Sequence, residues 1–218
     1  MNRGQLRTLV LSWLDDPNGT YFTPAQVNVW LNNAQKEAQK QLVQAGENWY
    51  VSKASTTLIQ NQDTYSLPLD FLKVNKLAIL LSGVTPNQVR QTLTWVTLIE
   101  LDQVSMTTGT PACYTIRKNC LVIRPIPDNT NTLYLDYTYL VADMNSDLAV
   151  PDVPTQYQEY LAVLATIDGF LKDQRDPSPM LTKKDYYLSL MKQDAENRNV
   201  DQPRMVVVTE PGSAGYLF

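Results

Sequence analysis

CYTIRKNCLVIRPIPDNTNTLYLDYTYL, residues 113–140, is the stretch that decides the fold class. If Lys118 and Asn119 are the central residues of a tight turn, Ile116 stands opposite Leu121 and Tyr114 opposite Ile123, so one face of the hairpin is wholly apolar. The other face, Thr115, Arg117, Val122 and Arg124, then reads as half-solvated. Beyond the Pro125 and Pro127 break and the Asp128-Asn129 turn, Leu133, Leu135, Tyr137 and Tyr139 alternate with Thr132, Tyr134, Asp136 and Thr138. Alternation of period two predicts a return strand, and with it a β-sheet core with helices on both sides of it in sequence.

The helical signals flank this sheet. Leu6, Leu9, Val10, Trp13 and Leu14 form one apolar stripe that stops at Asp16-Pro17-Asn18-Gly19. A second helix starts with Thr23 as N-cap, Pro24 as first helical residue, Gln26 as capping-box partner and a Phe22–Val27 hydrophobic staple. Its stripe runs Val27, Trp30, Leu31, Ala34, Ala38, Leu42, and Gly46 ends it. From Trp49 the pattern turns to strands: a hairpin over Thr56–Pro68, a strand from Phe71 to Leu81, then a short strand and one or two helical turns between Val89 and Leu101. Asp143–Pro154 is a polar linker, Tyr157–Leu171 a helix, and roughly Met180–Asn197 a last helix.

With 218 residues and 44% apolar content, the chain can bury a core. A net charge of −4 argues against a duplex-DNA binder, whose affinity comes from neutralising phosphates. Cys113 and Cys120 fall four pairing positions apart on the hairpin, roughly 13 Å at strand rise, too far for a disulfide, so free thiols are expected. No run is apolar enough for a membrane span or a secretory leader.

Histidine is absent. That removes the usual general base, the usual activator of Ser or Cys nucleophiles and the commonest metal ligand. No phosphate-cradling glycine motif occurs, and two cysteines on one hairpin make no zinc site. Asp143, Asn145 and Asp147 echo a calcium loop, but Leu148 replaces the turn glycine and Pro154 the bidentate glutamate, so the segment reads as a solvated loop. Asp173, Arg175 and Asp176 read as a charged helix end. Tyr134, Tyr137 and Tyr139 with Arg117 and Arg124 could be drawn as a stacking platform for single-stranded nucleic acid, yet alternating aromatics are more often cross-strand core pairs. No cofactor or metal is expected.

The carboxyl-terminal segment departs from what a frayed end should be. Met205, Val206, Val207 and Val208 are four consecutive large apolar residues, and after a Pro211–Gly215 spacer the chain reaches Tyr216, Leu217 and Phe218. Such a run invites pairing with a strand edge, so these seven residues are the expected partner-docking residues, acting on another subunit by strand addition or pocket insertion.

Taken in order, WLNNAQKEAQKQL (residues 30–42), TYSLPLDFLKV (64–74), residues 110–140 and VPTQYQEYLAVLA (153–165) resemble the head-to-tail adaptor, or connector, proteins of tailed bacteriophages. The resemblance covers roughly residues 5–172. It implies a non-enzymatic virion component of the neck between head and tail, made in the host bacterial cytoplasm. Such a protein forms a ring, commonly a dodecamer, beneath the portal. Its partners would be the portal protein, neighbouring copies, a downstream tail protein and passing DNA held without sequence specificity, with no membrane. The expected architecture is α+β: helices of residues 1–48 and 152–198 forming one bundle, a mostly antiparallel β-domain inserted at 49–151, and an extended docking tail at 199–218. The competing readings are a tail-tube or tail-completion component and, in a different class, a carboxylate enzyme acting on polysaccharide through a pair such as Asp168 and Asp173.

Overall fold

The computed structural model describes residues 1–46, 48–80, 90–104 and 106–200, with side chains as far as residue 195. The chain is a mixed α+β protein. It begins with α1 (Arg3–Trp13) and α2 (Pro24–Gln44), continues through β1 (Val51–Thr57), β2 (Thr64–Ser66), β3 (Phe71–Leu80), β4 (Arg90–Thr92) and β5 (Thr94–Trp95), and reaches α3 (Leu98–Gln103). Then follow β6 (Thr108–Gly109), β7 (Cys113–Arg117), β8 (Cys120–Arg124), β9 (Ile126–Pro127) and β10 (Thr132–Tyr139), a 3-10 turn at Thr155–Tyr157, α4 (Gln158–Lys172) and α5 (Ser178–Val200).

The helix starts obey local chemistry. Asn2 caps α1 in a reciprocal box with Gln5. Thr23 caps α2 by accepting from the Gln26 backbone N–H, with Pro24 at the first helical position. The expected return bond from the Gln26 side chain is not made; its Oε1 instead accepts from Lys172 Nζ at 2.8 Å, tying α2 to the end of α4. Phe22 and Val27 are both buried, as a staple requires, and Gly46 leaves α2 with φ 90°. In the connection between α1 and α2, the Asp16 carboxylate accepts from the backbone N–H groups of Thr20, Tyr21 and Phe22.

The β7–β8 hairpin has the expected register, with Ile116 opposite Leu121, Tyr114 opposite Ile123, and Lys118 in the left-handed region at φ 57°. Two expectations about sheet membership are corrected. The return strand β10 does not join the hairpin: it lies between β1 and β3 in a sheet of order β1-β10-β3-β4, whereas the hairpin belongs to a second sheet, β2-β8-β7-β5. Likewise β1 and β2 are not a hairpin with each other; β1 pairs with β10 and β2 with β8, so the polar turn between them carries the chain from one sheet to the other. Pairing is antiparallel except for the short β5–β7 and β6–β9 contacts.

Leu77, Ile79, Leu133 and Leu135 of the first sheet meet Tyr65, Tyr114, Leu121 and Ile123 of the second in one buried cluster. The alternation seen in the sequence is therefore that of two sheets sharing one interior. A separate cluster unites α1, α2, α4 and α5 through residues such as Val10, Leu31, Leu42, Leu161 and Met191. Lys183 of α5 reinforces it, pairing with Glu159 of α4 and lying 4.3 Å from the centre of the Trp13 ring of α1.

The second hairpin face is not half-solvated as expected. Of its four residues Thr115, Val122 and Arg124 are buried while Arg117 is exposed, and Leu101 of α3 forms a third small cluster with Cys113 and Val122. The amphipathic turn of α3, fixed by a Thr97–Glu100 capping box, covers that face. Arg124 beneath it is neutralised by Asp63. Burial would raise the Asp63 carboxyl, but Arg124 and Thr64 hold it below its ordinary value.

Candidate interaction surfaces

The residues expected to dock a partner, Met205, Val206, Val207, Val208, Tyr216, Leu217 and Phe218, lie outside the described residues. Three features within them bear on what the chain can hold.

The first is the segment from Tyr139 to Asp152. It is not the solvated linker expected from its polar sequence. A file of amide side chains on α2 reads its backbone: Asn32 Oδ1 accepts from the Met144 N–H, Gln35 donates to the Ala142 carbonyl and accepts from the Asp152 N–H, and Gln39 donates to the Tyr139 carbonyl and accepts from the Val141 N–H. Gln35 and Gln39 are 1% and 2% exposed, so these bonds form away from water, where leaving them unmade is costly. The start of α1 closes the other side, the N–H groups of Arg3 and Gly4 donating to the carbonyls of Ala149 and Asp147. The carboxylates of the calcium-like motif are engaged: Asp143 with Lys36, and Asp147 with both Arg3 and Arg7. Hydrogen bonds from Arg7 and Arg3 hold the Asp147 carboxyl well below the usual range. Asp152 accepts from the Tyr139 hydroxyl at 2.7 Å; burial first, and then this carboxylate, push that phenol up to about 12. The sequence signal for all this was present but unread: Asn32, Gln35 and Gln39 sit at i, i+3 and i+7, beside the apolar stripe of α2.

The second feature is a groove of about 660 Å3 at one mouth of the two-sheet sandwich, lined by Phe71, Leu72, Val74, Trp95, Tyr114 and Ile116 among others. Leu72 and Trp95 remain more than half exposed there.

The third is the contrast between the two outer faces of the sandwich. Rows across β1, β10 and β3 place Lys53, Asp136 and Lys76 side by side, and Ser55, Tyr134 and Ala78 in the next row. Lys73 and Arg90 complete this face; Arg90 lies 4.6 Å from the centre of the Tyr134 ring. All four cations are exposed, and none makes an ion pair among the described residues. The opposite outer face carries α3, with Ile99 74% exposed beside exposed Glu100 and Asp102.

The other residues singled out in the sequence are dispersed. Tyr134, Tyr137 and Tyr139 do not form a platform with Arg117 and Arg124, because β10 and the hairpin are in different sheets, and Tyr137 is buried with its hydroxyl on Asp70. Asp173 pairs with Arg175, whereas Asp176 accepts from the Ser178 N–H and hydroxyl at the start of α5. Asp168 is half-buried on α4, and that burial raises its carboxyl. Both cysteines are free thiols, and burial pushes that of Cys113 up.

Compared with known families, the chain matches the one described as SU10 adaptor protein over residues 1–209. It belongs to that family. Membership bears out the resemblance to phage head-to-tail adaptors and makes this a structural adaptor protein of the virion. Among curated proteins, nothing matches the chain. In this adaptor no helix among the described residues is long and apolar enough to cross a membrane.

Proposed function

We propose that the chain is the head-to-tail adaptor of a tailed-phage neck. Copies assemble as a ring beneath the portal, join capsid to tail, and line the channel through which DNA passes without sequence-specific contact. The match to the adaptor family over residues 1–209 carries this reading. The separate buried clusters support a division of labour in which residues 1–48 and 152–198 act as one helical unit, residues 49–151 as the β-unit, and residues 199–218 as a docking tail. Within that tail Met205–Val208 and Tyr216–Phe218 supply the apolar anchors, and the portal or a neighbouring copy supplies the strand edge or pocket. Each contact is modest, and repetition around a ring multiplies it. The net charge of −4 suits a channel wall that must not grip phosphates.

The test is co-sedimentation with purified portal rings. The full chain should travel with the portal, and a chain lacking residues 203–218 should lose most of that association. Undiminished binding by the shortened chain removes the docking role of the tail; failure of the full chain to bind removes the adaptor-ring reading itself.

A further inference from the structure

Charge is unevenly distributed along this chain. Residues 49–140 hold seven Lys and Arg against six Asp and Glu, while the rest hold eleven against sixteen. The excess of positive charge in the β-region is concentrated on the outer face of the β1-β10-β3-β4 sheet, where Lys53, Lys73, Lys76 and Arg90 surround a single carboxylate, Asp136. On the opposite side of the same sandwich, α3 presents Ile99 and Leu98, 74% and 43% exposed, next to Glu100 and Asp102. Leu101 of that helix is spent on the Cys113–Val122 cluster, and Leu98 and Ile99 belong to none of the buried clusters among the described residues.

We propose that copies of this chain pair through these two faces, the basic sheet face of one copy receiving α3 of the next. The proposal rests on the adaptor-ring reading and supplies its lateral contact. Two different, complementary patches on opposite sides of one unit make a heterologous interface, the kind that closes into a ring. The sheet face offers aliphatic lysine stems and the half-buried Tyr134 and Leu80 to the apolar residues of α3, while the cations meet Glu100 and Asp102.

A second copy fits this face better than a nucleic acid does. The row Lys53, Asp136, Lys76 puts a carboxylate at the centre, where it repels phosphate, and Tyr134 is covered by Arg90 and so is not free to stack on a base. Three strand spacings by six residues of rise give a face of roughly 15 by 20 Å, about 300 Å2. That is well below the ~800 Å2 per partner of a stable two-body complex. The pairing is therefore weak between two copies, sensitive to salt, and strengthened by ring closure.

The experiment uses full-length chains with opposite charge reversals: Lys53→Glu with Lys76→Glu in one, and Asp102→Lys with Gln103→Lys in the other. Self-association is followed by sedimentation at low salt over a range up to high protein concentration. Wild type should associate, each variant alone should need about tenfold more protein or worse, and an equimolar mixture should recover, because in an alternating arrangement every contact is again between opposite charges. A milder Lys53→Gln, Lys76→Gln chain covers the case in which three carboxylates in one row loosen the sheet; it too must associate less than wild type. A wild type that stays monomeric throughout, or a mixture no better than its components, overturns the proposal. So does a lysine variant that loses a duplex DNA oligonucleotide while associating normally, which would assign the face to a polyanion. Variants that associate as well as wild type while the wild-type chain binds the portal would remove this contact and leave the adaptor reading standing, whereas pairing without any portal binding would do the reverse.

Discussion

Replacing Gln39 with leucine tests the physical basis of the junction between the strands and the helices. The side chain is 2% exposed, donates to the Tyr139 carbonyl and accepts from the Val141 N–H across a sequence separation of about a hundred residues. Leucine nearly preserves volume but orphans both backbone groups, and Val141 itself is 2% exposed, so water does not easily replace the lost acceptor. Each unsatisfied buried group costs about 1–3 kcal/mol, so the two cost about 2–6 kcal/mol, and the greater apolarity of leucine returns about 1 of the total, leaving a loss of about 1–5 kcal/mol. In a chain of this length each kcal/mol moves the melting temperature by about 2–4 °C, so Gln39→Leu should melt about 2–20 °C below wild type. Gln35→Leu should cost less, because of the two groups it would orphan the Ala142 carbonyl belongs to an exposed residue and the Asp152 N–H to a half-buried one, so both are more easily hydrated. Urea unfolding of both variants measures the pair. A Gln39→Leu loss under about 0.5 kcal/mol, or one no larger than that of Gln35→Leu, would refute the claim that α2 holds the segment by buried amide bonds.

Two further outcomes follow from side-chain geometry. Asp147 is held below its ordinary value by Arg7 and Arg3, so its contribution to stability is present above the unfolded carboxylate range and fades as pH falls through the lower folded value. Asp147→Asn should therefore lower the urea midpoint near neutrality, and the gap to wild type should close as pH falls below about 4; a gap independent of pH would contradict the ion-pair account. A Cβ at Gly169 would lie 2.6 and 2.7 Å from the two Leu14 methyl carbons, so Gly169→Ala should destabilise by about 1–2 kcal/mol, overpacking outweighing the ~1 kcal/mol helical advantage of alanine. Combined with Leu14→Ala, that overpacking should vanish, and a simply additive double variant would show that α4 does not press on Leu14 through Gly169.

Local chemistry was legible in the sequence, and partnership was not. The Lys118-Asn119 turn, the hairpin register, the Thr23 cap and the Gly46 stop each depend on residues within a few positions of one another, and each lies where it was expected. The placement of β10 failed for a definite reason. Period-two alternation tells which side of Leu133, Leu135 and Tyr137 is buried, but both sheets face the same interior, so the pattern is equally satisfied by either one. The same ambiguity hid the crossing from β1 to β2. Thr115, Val122 and Arg124 look half-solvated in the sequence because their cover, α3, is only six residues long and its apolar pattern is correspondingly faint. The docking residues at the carboxyl end were singled out by composition alone, and they fall outside the described residues.

The DMNSD segment shows why polarity is a poor guide to solvation. Its polar side chains face water, Lys36 or arginines, as a loop's should, yet Met144 is buried in the helical core, and the backbone of the segment and its flanks is bound on two sides, by Asn32, Gln35 and Gln39 of α2 and by the first N–H groups of α1. A hinge needs backbone bonds that are few and easily exchanged with water. Here the route from the last strand of the sandwich to α4 runs through amide pairs of which two members are almost wholly buried, and Tyr139, the last residue of β10, takes part through both its carbonyl and its hydroxyl. Bending the route would break several of these bonds together, and at the buried Val141 the break leaves an N–H with no ready replacement partner. The amide file on α2 therefore fixes the angle at which the sandwich leaves the helices. In the proposed ring that angle would decide whether the basic face of one sandwich can meet α3 of the next, and Gln39, remote from either face, would then govern their meeting.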